Sequence, residues 1–205
     1  MINKFVTGSD RKTERPSSKI FILFPTFTRM INNRPDNLSD YLEGENLSVP
    51  PKTKLLEEGR IADKLYLVKK GCLRLFFHDE GKDITFQFFF EGDFVASFDS
   101  LYKRQPSLFS LESIEPTEIL AVKRDDFFNL VEQNPLIRRM YEEKLVDRFR
   151  VYQQLFLSRI KNSPRQRYEE ILKEHPGIIQ RVPQHYIASY LGITPVSLSR
   201  IRNRR

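Results

Sequence analysis

The sequence predicts an α+β chain in three successive parts: an antiparallel β-roll, one long helix and a C-terminal helix-turn-helix. Three observations predict it. Between residues 52 and 123, short runs of aromatic and aliphatic strand formers alternate with glycine-containing breaks. From Ile137 to Ile160, apolar residues recur every three or four positions. From Gln184 to Ile201, a small residue, a glycine and a set of branched aliphatics stand where two helices crossing at a tight turn need them.

Residues 1–18 are polar and carry Gly8, Ser9, Asp10, Pro16, Ser17 and Ser18, so a flexible leader is expected. The apolar stretch Ile20-Phe21-Ile22-Leu23-Phe24-Pro25 falls far short of the roughly 20 residues of a membrane-spanning helix. Acidic Asp10 and Glu14 precede it and no small-x-small cleavage pattern follows, so no membrane association and no secretion are expected. The lone cysteine, Cys72, excludes an internal disulfide framework and a multi-thiolate metal site within one chain. A reducing cytoplasm suits it. One short helix is expected near residues 37–43.

The β language starts at Lys52. Leu65-Tyr66-Leu67-Val68, Leu73-Arg74-Leu75-Phe76-Phe77 and Ile84-Thr85-Phe86-Gln87-Phe88-Phe89-Phe90 read as strands. Glu58-Gly59, Lys70-Gly71 and Glu91-Gly92-Asp93 separate them, and Asp79-Glu80-Gly81-Lys82 reads as a hairpin turn. Residues 109–114 and 118–122 supply two more strands. Short strands at this spacing indicate a small antiparallel barrel or jelly roll, with the phenylalanines Phe76, Phe77, Phe86, Phe88, Phe89 and Phe90 as its core.

Asp125 and Asp126 open a helical stretch, acidic where the helix dipole favours it. Beyond Pro135, Ile137, Tyr141, Leu145, Phe149, Tyr152, Phe156 and Ile160 form one stripe on one helix face. A helix over residues 136–160 is roughly 37 Å long at about 1.5 Å per residue. A small roll cannot cover that length, so Ile137, Tyr141, Leu145, Phe149, Tyr152 and Phe156 are expected to meet a second copy of the chain. Ser163 as N-cap and Pro164 as first residue begin a further helix, which stops at His175-Pro176-Gly177. The expected divisions are therefore a leader at 1–18, a sensor-like roll at 19–124, a dimerisation helix region at 125–160 and a DNA-binding domain at 161–205.

Charge supports the last division. The chain holds 34 Lys+Arg against 27 Asp+Glu, a net +7. Residues 161–205 carry Lys161, Arg165, Arg167, Lys173, Arg181, Arg200, Arg202, Arg204 and Arg205 against only Glu169, Glu170 and Glu174, which leaves the first 160 residues almost neutral. A near-neutral body with a basic end points to a polyanionic partner. Within that end, Ala188 is small enough for a second helix to cross close over the first. Gly192 can take the left-handed conformation that closes the turn. Ile187, Leu191, Ile193, Leu198 and Ile201 pin the pair together, while Thr194 caps the second helix and Pro195 fills its first turn. Ser197, Ser199, Arg200 and Arg204 are left to face outward, a row of hydroxyls and guanidiniums suited to phosphate and the major groove.

A β-roll, a long helix and a terminal helix-turn-helix in this order resemble the cyclic-AMP receptor/fumarate–nitrate regulator (CRP/FNR) family of bacterial transcription regulators. The resemblance runs from about Lys52 to Arg205, through Leu65-Tyr66-Leu67-Val68-Lys69-Lys70-Gly71, Phe89-Phe90-Glu91-Gly92-Asp93-Phe94 and the helix-turn-helix. It implies a cyclic-nucleotide-binding-like jelly roll, a homodimer along the long helix, double-stranded palindromic DNA as the ligand of the last helix, and RNA polymerase as a further partner. Arg200 matches the family's later base-contacting arginine, and Thr194 and Gln184 match positions that touch phosphate. With Val196, Ser197, Ser199, Arg202 and Arg204, these make up the expected DNA-binding set.

Two departures limit what carries over. Where family members that bind cyclic AMP have Gly-Glu-Leu for the ribose, this chain has Gly92-Asp93-Phe94; where they have Arg-Ser for the phosphate, it has Pro106-Ser107, with Lys103 and Arg104 just before. A phosphate without its guanidinium loses a charge-assisted bidentate contact. Gly92, Asp93, Phe94, Arg104 and Ser107 are thus the expected ligand site, for an unidentified effector other than cyclic AMP; the alternative is a constitutive regulator whose roll binds no effector. In the reading head, the family's Arg-Glu is replaced by Pro195-Val196, which leaves base contact to Ser197 and Arg200 with Val196 against a thymine methyl. No β-hairpin wing is expected after the last helix, so Arg202, Arg204 and Arg205 would anchor phosphates.

No catalytic residues, metal or cofactor are expected. His78, His175 and His185 are scattered without ligand spacing, and no phosphate loop or nucleophile elbow is present. The competing expectation is a ligand-binding or protein-interaction module with no specific DNA target.

Overall fold

The structure is a computed structural model that describes residues 38–203. The leader at 1–18, the Ile20-to-Phe27 stretch, Arg204 and Arg205 lie outside the described residues. A single 3₁₀ turn at Leu38–Tyr41 leads into eight strands. These are β1 (Glu45–Val49), β2 (Lys54–Leu56), β3 (Lys64–Lys70), β4 (Leu73–Asp79), β5 (Lys82–Phe89), β6 (Phe94–Val95), β7 (Ser110–Ser113) and β8 (Thr117–Lys123). A short helix, α1 (Phe98–Lys103), separates β6 from β7.

The strands form two antiparallel four-stranded sheets, ordered β1-β8-β3-β6 and β2-β7-β4-β5. Alternation along each strand makes the roll's core: Tyr66, Val68, Leu73, Leu75, Phe89, Val95, Leu111 and Ile119 are buried together between the sheets. The β4–β5 hairpin closes on Glu80 and Gly81, both at positive φ, as a two-residue turn between paired Asp79 and Lys82 requires. β1, β2, β6 and α1 escape the sequence pattern because they are short. β1 also has an exposed, mostly polar sequence that only its ladder to β8 holds extended.

The outer face of the first sheet packs on α2 (Arg124–Gln133) and the start of α3 (Pro135–Lys161), through Leu65, Leu67, Leu120, Val122, Phe127, Val131 and Ile137. Asn134 caps α3, its side-chain oxygen accepting the N–H groups of Leu136 and Ile137. Ile137 is fully buried in this core, which corrects its expected place in a dimer interface: α2 and the sheet cover the first turn of α3. Tyr141 is half-buried for the same reason, with its ring against Phe98, Phe127 and Phe128.

The outer face of the second sheet is covered by the C-terminal helices: α4 (Pro164–Glu174), α5 (Ile178–Arg181), α6 (Gln184–Leu191) and α7 (Pro195–Asn203). Ser163 and Gln166 form a full capping box at the start of α4. Phe88 and Phe90 do not belong to the roll's core as expected. They sit on the opposite face of β5 and the turn after it, and with Cys72 and Ile114 join the core of α4–α7.

Candidate nucleic-acid interface

Gly192 ends α6 at φ +67, in the left-handed region, and its N–H returns to the last carbonyls of the helix. Ala188 is fully buried beneath α7. At the start of α7 the Thr194 Oγ1 accepts the Ser197 N–H at 3.2 Å, while its hydroxyl donates to Ser197 Oγ at 3.0 Å. Ser197 is therefore half-buried and tied into the cap. Val196, Ser199 and Arg200 project from the exposed side of α7; Gln184 is exposed at the start of α6, and Arg202 is half-buried. Arg204 falls outside the described residues.

Not all of the C-terminal positive charge faces outward. The Arg167 guanidinium donates to the carbonyls of Asn162 and Leu191, at 2.8 and 2.7 Å. Arg159 donates to the Tyr190 carbonyl at 2.8 Å, so two cations finish the C-terminal end of α6, where the helix dipole favours them. Arg165 pairs with Glu169. Arg181 is held by Glu91 and Glu115 of the roll. Net charge by sequence position overcounts the cations on the exposed side of α7, because it cannot see these partners.

The residues of the expected ligand site lie in the β5–β6 turn and the start of β6, at the end of α1 and just before β7. Gly92 lies in the β5–β6 turn at φ +85, and Asp93 Oδ2 accepts the Phe90 N–H at 2.8 Å. Burial pushes the Asp93 carboxyl up to about 6, against the opposing pull of Arg148. The Arg148 guanidinium, on α3, donates to the Phe94 carbonyl at 2.7 Å and lies over the Phe89 ring. Ser107 is buried with its hydroxyl 2.7 Å from Ser97 Oγ and 2.6 Å from the Phe109 carbonyl. Arg104 ends α1 in the left-handed conformation and is exposed. β6 belongs to one sheet and β7 to the other, and the Ser97–Ser107 hydrogen bond joins the segments that lead from one to the other.

Sequence reasoning missed Arg148 and Arg74. Arg74 is almost wholly buried, bonded to Glu112 at 3.0 Å and Asp83 at 2.7 Å, between the rings of Phe76 and Tyr186. Its central place in an otherwise apolar strand was the available signal: alternation puts it on the face opposite Leu73 and Leu75.

Along the rest of α3, Leu145, Val146, Phe149, Tyr152, Phe156, Leu157 and Ile160 are exposed, with Phe149 and Phe156 at 63% and 66%. Cys72 is buried, and burial raises its thiol well above the ordinary range. His78 is an exposed residue of β4, paired with Glu58 and Asp83. Among the described residues no cluster of His, Cys, Asp and Glu could hold a metal, and no helix is long and apolar enough to cross a membrane.

Residues 46–134 match the cyclic nucleotide-binding domain family. The Cyclic AMP receptor protein of Thermus thermophilus is 25% identical over 157 residues, covering 74% of this chain and 72% of that protein. Among solved structures, FixK2 from Bradyrhizobium japonicum superposes with a TM-score of 0.68 at 18% identity, over 80% of this chain and 84% of its own. The c-di-GMP responsive global regulator CLP of Xanthomonas campestris gives 0.62 at 16% identity, over 78% and 85%. At those identities the two structures share the fold.

Proposed function

We propose that this chain, a CRP/FNR-type protein whose residues 46–134 are a domain of the cyclic nucleotide-binding family, is a sequence-specific DNA-binding transcription regulator that acts as a homodimer on palindromic sites. The observation that carries this reading is the helix-turn-helix closed at Gly192 and capped at Thr194, with Val196, Ser199 and Arg200 together on an exposed face of α7. A helix N-terminus with hydroxyls and a guanidinium on its open side fits the major groove, where Arg200 can bond a guanine edge and Val196 meet a thymine methyl. Gln184, Thr194, Arg202 and Arg204 then contact phosphates, and Ser197, held by the Thr194 cap, reaches the groove.

The exposed apolar face of α3 supports pairing of two chains through Leu145, Phe149, Tyr152 and Phe156. Two-fold pairing places half-sites about one helical turn apart, roughly 34–36 Å. The contacts of the roll speak against control by cyclic AMP. Ser107 is bonded within the protein and Arg104 points to solvent, so no guanidinium among these residues compensates a buried phosphate. The reading places the protein in the cytoplasm with RNA polymerase as a further partner.

Selection of bound sequences from a random DNA pool tests the reading. An enriched palindrome supports it; recovery of unenriched DNA, or of none, replaces it with a ligand-binding or protein-interaction module.

A further inference from the structure

We infer that Arg181 and Ser189 are positioning residues for DNA recognition: they clamp the helix-turn-helix to the outer face of the second sheet and thereby set the direction in which α7 presents Arg200. The inference rests on the dimeric DNA-binding reading and adds to it a determinant outside the DNA-contacting set.

The clamp has two ends. At one, Arg181 reaches both turns that leave the sheet. Its Nη1 and Nη2 donate to the two oxygens of Glu91 at 3.0 and 2.7 Å, and its Nε and Nη2 donate to Glu115 Oε1 at 2.9 and 2.5 Å. Glu91 is itself fixed by the Gly71 N–H at 2.8 Å. At the other end, Ser189 bridges the edge strand β5. Its Oγ accepts the Thr85 N–H at 2.9 Å and donates to the Asp83 carbonyl at 3.0 Å. A sheet edge offers such groups in a row, and here a helix side chain takes two of them.

These ends flank β5, one near its first residues and one just past its last. Strand rise separates them by about 20 Å, at roughly 3.3 Å per residue. Apolar packing alone fixes contact but not direction; two hydrogen-bonded anchors so far apart resist rotation of α6 on the sheet. Between them the rings of Phe88 and Tyr190 pack at 5.4 Å and those of Phe90 and His175 at 4.4 Å, and Tyr186 covers Arg74. An isolated half-exposed ion pair contributes little, but this one is a multidentate end of a packed interface.

Docking leaves the reading head untouched. It uses Tyr186, Ser189 and Tyr190 of α6, while Val196, Ser199 and Arg200 stay exposed on α7. Only Asn162 and Ser163 join α3 to α4, so the direction of the four C-terminal helices is set by side-chain contacts: the clamp, the shared apolar core and the Arg159–Tyr190 and Ser158–Glu170 bonds to α3. Bonds to base edges need heavy-atom distances held near about 2.7–3.2 Å in both half-sites at once. A fixed α7 meets that condition at one half-site spacing.

The experiment uses the full chain and the palindrome selected above, with base pairs added or removed between half-sites. The wild type is expected to bind tightly at one spacing. Ser189→Ala, and separately Glu91→Gln with Glu115→Gln, should flatten that preference and weaken the best site about tenfold, while binding to a single half-site stays as in the wild type. Arg181→Lys, which keeps the charge, should retain more of the preference than Arg181→Gln. Spacing profiles unchanged in the variants overturn the clamp. So does an equal loss on the half-site, which reports damage to the DNA surface or the fold. Failure of the DNA-binding reading itself shows separately, in a wild type that selects no palindrome.

Discussion

The guanidinium of Arg74 on β4 lies 3.9 Å from the ring centroid of Tyr186 on α6, with the Phe76 ring at 3.8 Å on its other side. A charge buried between two rings joins the roll to the C-terminal helices. Glu112, itself buried, and the half-exposed Asp83 balance it, yet the Arg74 Nη1 has no hydrogen-bond partner among the described residues. Arg74→Met strands the Glu112 carboxylate and should destabilise by about 3–5 kcal/mol. Adding Glu112→Leu should recover most of that loss, and urea denaturation of both variants checks it.

Arg200→Ala should cost about 1–3 kcal/mol of affinity for the selected site and relax preference at one base pair. Arg202→Ala should instead weaken all sequences alike and lower the salt slope by about one. Titrations over a series of salt concentrations separate the two roles. An Arg200→Ala protein with unchanged site preference removes its base contact.

The apolar face of α3 divides between two functions. Phe149→Glu with Phe156→Glu should give a monomer by light scattering and abolish tight binding to a two-half-site palindrome, because both rings are exposed within one chain. Ile137→Ala should leave the oligomeric state unchanged and lower stability by about 2–5 kcal/mol, as truncation of a fully buried side chain does.

Glu174 lies beside Glu170 and Tyr190 where α3, α4 and α6 meet. Burial, helped by the Glu170 charge, pushes its carboxyl up to about 8. The folded value exceeds the unfolded one, so the folded state binds the proton more tightly. The resulting stability is complete below about 4.5 and is lost as pH rises through about 8. Glu174→Gln should therefore melt with the wild type at pH 4 and several degrees above it at pH 9. His175 works in the opposite direction. Burial and the nearby Arg181 lower it to about 4, so its contribution is lost as pH falls from about 6.5 toward 4.

Two glycines at positive φ separate strain from crowding. A Cβ at Gly71 would lie 2.5 Å from Thr117 Oγ1 and 2.8 Å from the Pro116 carbonyl, whereas Gly81 at the hairpin tip faces open space. Gly81→Ala should cost about 1 kcal/mol, from backbone strain alone. Gly71→Ala should cost at least about 3 kcal/mol, because overpacking against backbone adds to that strain. Chemical denaturation compares them directly.

Much of this is legible in the sequence alone. The stripe from Ile137 to Ile160, the Ser163-Pro164 start and the Ala188, Gly192 and Thr194 pattern each report a local rule, and α3, α4, α6 and α7 follow them. β1, β2, β6 and α1 were not legible, since a few residues at a sheet edge carry no period. The contacts of the expected ligand residues were not legible either, since Ser107 bonds Ser97 across α1 and Arg148 reaches the Phe94 carbonyl from α3.

The sequence by itself determined the order of parts, the turn chemistry and the basic C-terminal end, because periodicity, caps and charge are properties of neighbouring residues. Tertiary structure alone decided which of those charges meet a partner and which apolar residues stay exposed. Arg181 belongs to the basic C-terminal end by position, yet its partners are Glu91 and Glu115 of the roll; Ile137 and Phe156 belong to one stripe, yet one is core and the other surface. The physical reason is the same in both cases: a side chain's role depends on what the rest of the chain brings against it, and those partners come from strands and helices far away in sequence.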